Sequence, residues 1–239
     1  MTSSLRRSVE RASYEAKTLV ARSPLLALPI ARRRGHGVVV DGATDITIEG
    51  YPRSANNFAV AAFVMAQPGP VRVAHHVHAP AHVIAAIDLQ IPTLVLVRDP
   101  EDAVLEFVIR RPALSILQAL RGYLRFYRPL LAHRDAFVVG SFREVTNDFG
   151  AVTRRVNERF RANFSEFDHT PENVRACFEE IERHYRTVTS EPDLERIVGR
   201  PSALRDAMKD ELRPAYHHAA LREVREAAQR LFETFASAT

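Results

Sequence analysis

The segment 91–97 (Ile-Pro-Thr-Leu-Val-Leu-Val) restricts the fold of this chain more than any other feature of the sequence. Its last five residues show no polar alternation, so a strand here would be buried on both faces. Such strands are typical of parallel sheets that are covered by helices on each side. Asp99, Pro100 and Glu101 follow at once, and these residues favour the N-terminus of a helix. A strand that leads directly into a helix is half of a βαβ unit.

Strands and helices alternate along much of the chain. We predict strands at 37–41, 45–50, 71–75, 91–97 and 136–140, the first as an edge strand or part of a hairpin. We predict helices at 56–65, 79–89, 99–133 with an interruption at Pro112, 147–162, 171–188, 201–212 and 214–235. Right-handed connections between parallel strands place helices on both faces of one sheet. The expected fold class is therefore a three-layer α/β domain with a helical C-terminal portion.

The composition fits a globular protein in a reducing compartment. The 239 residues are 46% hydrophobic, which is enough for the core of one large domain or two small ones. Cys177 is the single cysteine, so the chain can form neither an internal disulfide nor a cysteine-based zinc site. No apolar run approaches the roughly 20 residues that cross a bilayer. We predict a cytoplasmic protein with a basic amphipathic N-terminal arm at 1–35 and a single domain at 36–239.

The arm carries most of the positive charge. Residues 1–35 hold eight basic and two acidic residues, whereas the remainder has a small net negative charge, which argues against a nucleic-acid partner. Apolar side chains recur in the arm at helical spacing, namely Leu5, Val9, Ala12, Ala16 and Leu19. Two interpretations of this stripe remain open. The helix packs on the main domain with its arginines in solvent, or it lies on an anionic membrane surface.

Polar and charged side chains follow four of the predicted strands, in the segments 51–58, 75–80, 98–100 and 141–144. Ligands of open α/β sheets bind outside the carboxyl ends of the strands. These segments bring cations, imidazoles and hydroxyls to that edge of the sheet. The pattern predicts a site for an anionic ligand such as a nucleotide.

Each segment has more than one interpretation. The segment 51–58 is either a loop whose backbone N–H groups cradle phosphate or an ordinary polar loop, and it lacks the lysine and glycines of a Walker motif. The four histidines between 75 and 82 could hold a metal through His76 and His78, cap the strand end, or supply a general base. Arg98 suits a bidentate phosphate contact, or it pairs locally while Asp99 caps the next helix.

Three of these segments, in this order, resemble motifs of the sulfotransferase family that uses 3′-phosphoadenosine 5′-phosphosulfate (PAPS). Residues 52–58 (Pro-Arg-Ser-Ala-Asn-Asn-Phe) are similar to the family's Pro-Lys-Ser-Gly-Thr-Thr-Trp. His78-Ala79-Pro80 is similar to its catalytic-histidine motif, and 98–102 (Arg-Asp-Pro-Glu-Asp) to its Arg-x-Pro-x-Asp motif. The resemblance covers about residues 45–145 well and the helical tail only loosely. It implies a P-loop-like parallel sheet.

The resemblance also implies roles for individual residues. Arg53 and Ser54, Ala55, Asn56 and Asn57 would surround the 5′-phosphosulfate, and Phe58 would stack on adenine. His78 would be the general base, and Arg98 would contact the 3′-phosphate. The reaction would transfer a sulfuryl group from PAPS to a hydroxyl or amine of a small molecule, glycan or lipid, with PAP as the product and without a metal. Catalysis would depend on positioning and electrostatic stabilisation, with Arg53 and His78 as catalytic residues.

The chain departs from the family pattern at several positions. Arg53 stands in place of lysine, Ala55 in place of glycine, and Glu106 in place of a phosphate-binding serine. The family's C-terminal Arg-Lys-Gly is absent, and Arg200, Arg205 or Lys209 would have to substitute for it. These departures keep alternatives open: an inactive nucleotide-binding module of the same fold, a P-loop-like small-molecule kinase, or a helical interaction protein. The sequence does not predict an oligomeric state.

Overall fold

The computed structural model describes residues 3–35, 37–188 and 191–237. Four parallel strands form its sheet, in the order β2-β1-β3-β4. They are β1 (Ile46–Gly50), β2 (Val73–His75), β3 (Thr93–Val97) and β4 (Val138–Ser141). Ile48 of β1 pairs with His75 on one side and with Leu94 on the other. All four strands coincide with predicted ones, so the parallel sheet is confirmed.

The helices of the described residues are α1 (Ser3–Val20), α2 (Pro24–Arg34), α3 (Asn56–Ala66), α4 (Pro80–Asp88), α5 (Pro100–Arg110), α6 (Ile116–Tyr127), α7 (Phe142–Asn147), α8 (Phe149–Phe160), α9 (Pro171–Val188), α10 (Glu191–Ile197), α11 (Ala203–Tyr216) and α12 (Arg222–Ala236). Two 3-10 helices, Arg128–Ala136 and Ala219–Leu221, connect some of them.

The sheet lies between two hydrophobic cores. Leu94 and Leu96 point towards α3, α8 and α9, in the core that contains Phe63. Val95 and Val97 point the other way, towards α4, α5, α6 and α12. Neighbouring residues of a strand face opposite sides, so a strand without polar alternation fills both cores. The fold is therefore the predicted three-layer, P-loop-like α/β arrangement.

The predicted strand at 37–41 is wrong, because only a single antiparallel bridge between Val38 and His75 forms there. Gly37 adopts a left-handed conformation with φ of 71°, and a Cβ on it would collide with the backbone of His75 and His76. On the other side, Asp41 accepts a turn hydrogen bond from the Thr44 N–H at 3.1 Å. The turns on either side leave too little extended chain for a strand.

Local chemistry sets several helix ends. The predicted break at Pro112 is confirmed, and a capping box of Ser115 and Gln118 starts α6 after it. The Asp148 side chain accepts the N–H of Ala151 at 3.0 Å and caps α8, so the predicted helix 147–162 begins at Phe149, after a separate short helix α7 that was not predicted. The predicted start of the last helix at Pro214 is wrong. The fixed φ of proline is compatible with a helix, and Pro214 lies in the last turn of α11. This helix therefore continues through Pro214 to Tyr216.

The N-terminal arm forms two helices that pack on the main domain through the side opposite to the apolar stripe. Tyr14 of α1 lies against Phe107, with ring centroids 5.7 Å apart, and its hydroxyl reaches Gly122 of α6, where a Cβ would collide with it. Leu5 and Val9 remain 52% and 54% exposed. The helix of the arm therefore packs on the main domain, but through the face opposite to the stripe.

Candidate active site

The loop 51–55, which connects β1 to α3, lies at the centre of the sheet's carboxyl edge. Gly50 ends β1, where a Cβ would lie 2.7 Å from the carbonyl oxygen of Leu96 on β3. Arg53 and Ala55 both have left-handed backbones, with φ of 73° and 67°. The family's glycine thus matches a position where this chain does use positive φ, and alanine is strained there by about 1–2 kcal/mol.

Several predicted nucleotide ligands are turned into the protein. The Ser54 side chain is completely buried beside Tyr127. The Asn56 Nδ2 donates to the carbonyl of Tyr51 at 3.1 Å and closes the loop on itself. Phe58 is 3% exposed and packs with the aromatic rings around α9 and the 164–169 segment. Its ring therefore has no free face for an adenine in this structure, because the first turn of α3, which carries Phe58, packs into the core.

Arg53 is held by a buried carboxylate and by the C-terminal part of the chain. Its Nη2 lies 2.7 Å from Oε2 of Glu106, and its Nη1 and Nη2 donate to the carbonyls of Ile197 and Val198 at 3.0 and 3.3 Å. The Nε of Arg205 lies 3.0 Å from the same Glu106 oxygen. Burial raises the pKa of Glu106, but the two guanidiniums outweigh it and the pKa is lowered. Glu106 is thus ionised and shared between two arginines.

The structure distinguishes between the three C-terminal cations. Arg205 reaches the loop through Glu106, and its side chain is 3% exposed. Arg200 pairs with Glu182 at 2.9 Å and with Glu195, away from the loop. Lys209 pairs with Asp102 and Asp206, and Asp102 in turn lies 3.7 Å from the guanidinium of Arg98.

A second set of contacts near the loop is made by Tyr185 of α9. The Asn57 Nδ2 donates to the hydroxyl of Tyr185 at 3.0 Å, and Arg110 donates to the same oxygen at 2.8 Å. Burial alone would raise the pKa of Tyr185, but these two donors and the charge of Arg53 lower it. No local pattern indicates Tyr185 or Arg110, because their partners are far away along the chain.

His78 has the tautomer of a general base. Its Nδ1 lies 2.8 Å from the carbonyl oxygen of Gly50, so Nδ1 carries the proton and donates it there. Its Nε2 makes no hydrogen bond within the part of the chain that the structure describes, and is free to accept a proton. Burial lowers the pKa of His78, although Glu49 and the bond to Gly50 oppose this. The ring is therefore neutral near pH 7, as a base must be.

Glu49 holds the backbone on which His78 stands. Its carboxylate is completely buried and accepts from the N–H of Val77 at 2.6 Å and of His78 at 3.2 Å. The Nδ1 of His82 donates to it at 3.0 Å, since the Nε2 of that ring accepts the N–H of Val40. Sequence reasoning missed Glu49, although an acidic residue in the otherwise apolar strand 45–50 was the available signal.

Glu49 is ionised over a wide pH range. Burial alone would raise its pKa, but the hydrogen bond from His82 and the electrostatic interaction with the His78 and His82 rings outweigh burial and lower the pKa to about 2. The carboxylate is a fixed negative charge that the surrounding N–H donors require.

The remaining histidines form a chain of ring contacts at the end of β2. The Nδ1 atoms of His75 and His76 lie 2.6 Å apart, and the Nε2 of His76 lies 2.5 Å from the Oδ1 of Asn57. Burial lowers the pKa of His76 to about 3, so this ring is neutral. Within the described residues no group of three or more His, Cys, Asp or Glu side chains could hold a metal ion.

Arg98 joins the same loop from β3. Its Nη1 donates to the carbonyl of Arg53 at 2.9 Å, and its guanidinium lies 4.0 Å over the ring of Phe142. Its Nε is buried without a hydrogen-bond partner. Asp99 caps α5 by accepting the N–H of Glu101 at 2.9 Å. Arg53 thus lies in the loop 51–55, Arg98 contacts this loop, and His78 contacts Gly50 directly before it.

Comparisons with known proteins give a likeness of fold. No protein-family profile matches the sequence, and no curated protein matches it. Among solved structures, the chain is similar to a mouse sulfotransferase, SULT7A1, complexed with PAP. The similarity covers 79% of this chain and 90% of that chain, with 14% identity and a TM-score of 0.46. At these values it assigns no role to any residue.

Proposed function

We propose that this protein is a sulfotransferase that uses PAPS to sulfate a hydroxyl or an amine, with His78 as the general base. The observation that carries the proposal is the orientation of His78 at the carboxyl edge of the sheet. The Gly50 carbonyl oxygen accepts a hydrogen bond from the Nδ1–H of His78, with a nitrogen–oxygen distance of 2.8 Å, which leaves Nε2 as an acceptor beside the β1–α3 loop. The sequence resemblance of the three motifs supports the same assignment.

The polar atoms at the loop fit a phosphorylated nucleotide in part. The partnerless buried Nε of Arg98 could donate to a phosphate oxygen, and guanidiniums are well suited to that contact. Arg53 would reach the phosphosulfate once it exchanges its contacts with Glu106 and with the Ile197 and Val198 carbonyls. PAPS would supply a sulfuryl group bonded to a good leaving group.

The chain's own residues would then move one proton and stabilise one charge. The Nε2 of His78 would take the proton of the acceptor as its oxygen or nitrogen bonds to sulfur. The bond between sulfur and the 5′-phosphate oxygen would break, and Arg53 and Arg98 would stabilise the negative charge that stays on PAP. Glu49 would keep the His78 backbone in place through its two N–H contacts.

A second candidate, a nucleotide-binding module without transfer activity, is favoured by the Arg53–Glu106–Arg205 cluster. The carboxylate of Glu106 neutralises Arg53 and occupies a position where the family has a neutral serine. It would repel a phosphate at short range. A kinase is less well supported, because the Asp99 carboxylate it would need for Mg²⁺ caps α5.

Binding and transfer measurements separate these candidates. Thermal-shift titration with PAP, PAPS, ATP and GTP reports binding through mass action, and labelled sulfate transfer from PAPS to an acceptor pool reports the reaction. We expect PAP to stabilise the protein and PAPS to label an acceptor. Stabilisation without transfer would support the inactive module. No stabilisation by PAP or PAPS would refute the sulfotransferase, and no stabilisation by any of the four nucleotides would refute both candidates.

The His78→Ala variant tests the role of the base. We expect it to abolish transfer and to leave PAP binding nearly unchanged, because His78 contacts the loop only through Gly50. His133→Ala is the matched control, since this ring lies on the 3-10 helix Arg128–Ala136, away from the loop. Transfer that survives in His78→Ala would contradict the assigned role.

A further inference from the structure

The arm displays an apolar surface to solvent. Six side chains of α1 and α2 are 43–87% exposed, and together we call them the arm surface: Leu5, Val9, Leu19, Leu25, Leu26 and Ile30. Leu25 is the most exposed at 87%. Scattered exposed leucines are ordinary in a monomer, but a continuous group of them marks an interaction site.

The two helices are fixed on the main domain, so this exposure is a property of the packed arm. Arg111 pairs with Glu10 at 2.8 Å, and Arg125 pairs with Glu15. The Nε of Arg11 donates to the carbonyl of Ala113 at 2.6 Å. Both acidic residues of the arm are therefore used on its inner side.

The two helices join into one surface at the turn between them. Leu19 at the end of α1, Leu26 at the start of α2 and Pro129 line a shallow groove of about 540 Å³. Apolar side chains from both helices thus meet at this groove rather than on separate faces.

Unpaired positive charge surrounds the arm surface. Arg6, Arg22, Arg33 and Arg34 are exposed and form no ion pair with any residue that the structure describes. Arg33 lies on the outward side of α2 with Leu26 and Ile30, because the buried positions of that helix, Ala27 and Ala31, lie opposite. The arm surface is therefore apolar at its centre, basic at its margin and without a free carboxylate.

We propose that the arm surface binds an anionic phospholipid bilayer. Exposed apolar side chains enter the boundary between head groups and acyl chains while arginines contact the lipid phosphates. A second copy of this surface is a poorer partner, since it would bring two sets of unpaired arginines together. No helix within the described ranges is long and apolar enough to cross a bilayer, so the arm would lie on the membrane.

Vesicle co-sedimentation of the full-length protein tests the proposal. The vesicles contain phosphatidylcholine alone, or phosphatidylcholine with about one third phosphatidylserine. We expect the protein to sediment with the anionic vesicles only. Leu25→Ser with Leu26→Ser should lower the partition coefficient at least about tenfold, and Arg33→Ala with Arg34→Ala should lower it by a similar factor.

Matched controls carry the same substitutions elsewhere on the surface. Leu204→Ser replaces a leucine on α11 that is 50% exposed, and Arg175→Ala with Arg222→Ala removes two exposed arginines of α9 and α12. These should sediment like the native protein. If the leucine pair unfolds the arm, as circular dichroism would show, Leu25→Ser alone replaces it.

Three results would overturn the proposal. One is equal binding to neutral and anionic vesicles, or binding to neither. Another is full vesicle binding by the leucine variants. The third is a native dimer, seen by size-exclusion chromatography with light scattering, that the leucine variants dissociate, because the arm surface would then be a self-interface.

Discussion

Glu49→Gln removes one charge from the buried cluster that holds His78, with almost no change of shape. The two carboxylate oxygens accept from Val77, His78 and Gly50 N–H groups and from the His82 ring. A glutamine amide would direct N–H groups at some of these donors. Its oxygen could satisfy one side of the cluster, and the other side would lose its acceptor.

The expected loss of stability in Glu49→Gln follows from the pKa of Glu49 in the folded protein and in the unfolded chain. The pKa of Glu49 is about 2 in the folded protein, against 4.5 for an ordinary glutamate. Ionisation therefore contributes about 3 kcal/mol to the free energy of unfolding above about pH 5, at 1.36 kcal/mol for each tenfold change in the acid constant. Because the folded pKa is the lower one, this contribution is lost as pH falls towards about 2, and only about 1 kcal/mol remains at about pH 3.

Urea and thermal unfolding at pH 7 and at pH 3 measure this contribution. At pH 7 we expect Glu49→Gln to lower the free energy of unfolding by about 3 kcal/mol and Tm by about 6–12 °C. At pH 3 the difference from the native protein should be less than half as large.

The control is Glu166→Gln, whose pair with Arg154 is exposed to solvent and should contribute little to the free energy of unfolding. A loss at Glu49 that is equally large at both pH values would refute the reasoning. So would a loss no larger than that of Glu166→Gln.

Three further predictions concern the loop and its surroundings. Glu106→Ser should lower the Kd of PAP at least tenfold, about 1.4 kcal/mol, because it frees Arg53; isothermal titration that finds an unchanged Kd would contradict this. If transfer occurs, kcat/KM should rise with pH through a midpoint below 6.5 and then level off. The reason is that the pKa of His78 is lowered and that the neutral ring is the active form. A midpoint above 6.5 would count against His78 as the base. Ala55→Gly should raise the free energy of unfolding by about 0.5–1 kcal/mol, because glycine adopts a left-handed φ without strain. The control Ala61→Gly, inside α3, should lower the free energy of unfolding by about 1 kcal/mol. A change of the same sign in both variants would contradict the strain at Ala55.

Parts of the candidate site could be predicted because they follow from local pattern and topology. The apolar run of β3 required a sheet covered on both sides, and a parallel sheet brings its carboxyl ends to one edge. That rule alone placed Arg53, His78 and Arg98 around the same loop. Asp99 as a helix cap was likewise predictable, since its partners lie two and three residues away.

Other features of the site depend on contacts that no local pattern encodes. The carbonyl of Val198 that binds Arg53 lies 145 residues along the chain, and Arg205 lies 99 residues from Glu106. Whether Arg53 faces a ligand or a carboxylate is settled only when α5, α10 and α11 pack together. The orientations of Phe58 and Asn56 could not be predicted for the same reason, because the direction of each side chain depends on the surrounding core.

The N-terminal arm shows most simply which features follow from local sequence and which depend on tertiary packing. The apolar stripe of α1 and its excess of positive charge could be predicted, because helical periodicity and composition are local properties. The side that packs could not, since it depends on the folded main domain: Tyr14 fits against Phe107 and Gly122, and Glu10 and Glu15 pair with arginines of that domain. A period identifies the faces of a helix, but the shape and charge of the neighbouring surface select the one that is buried.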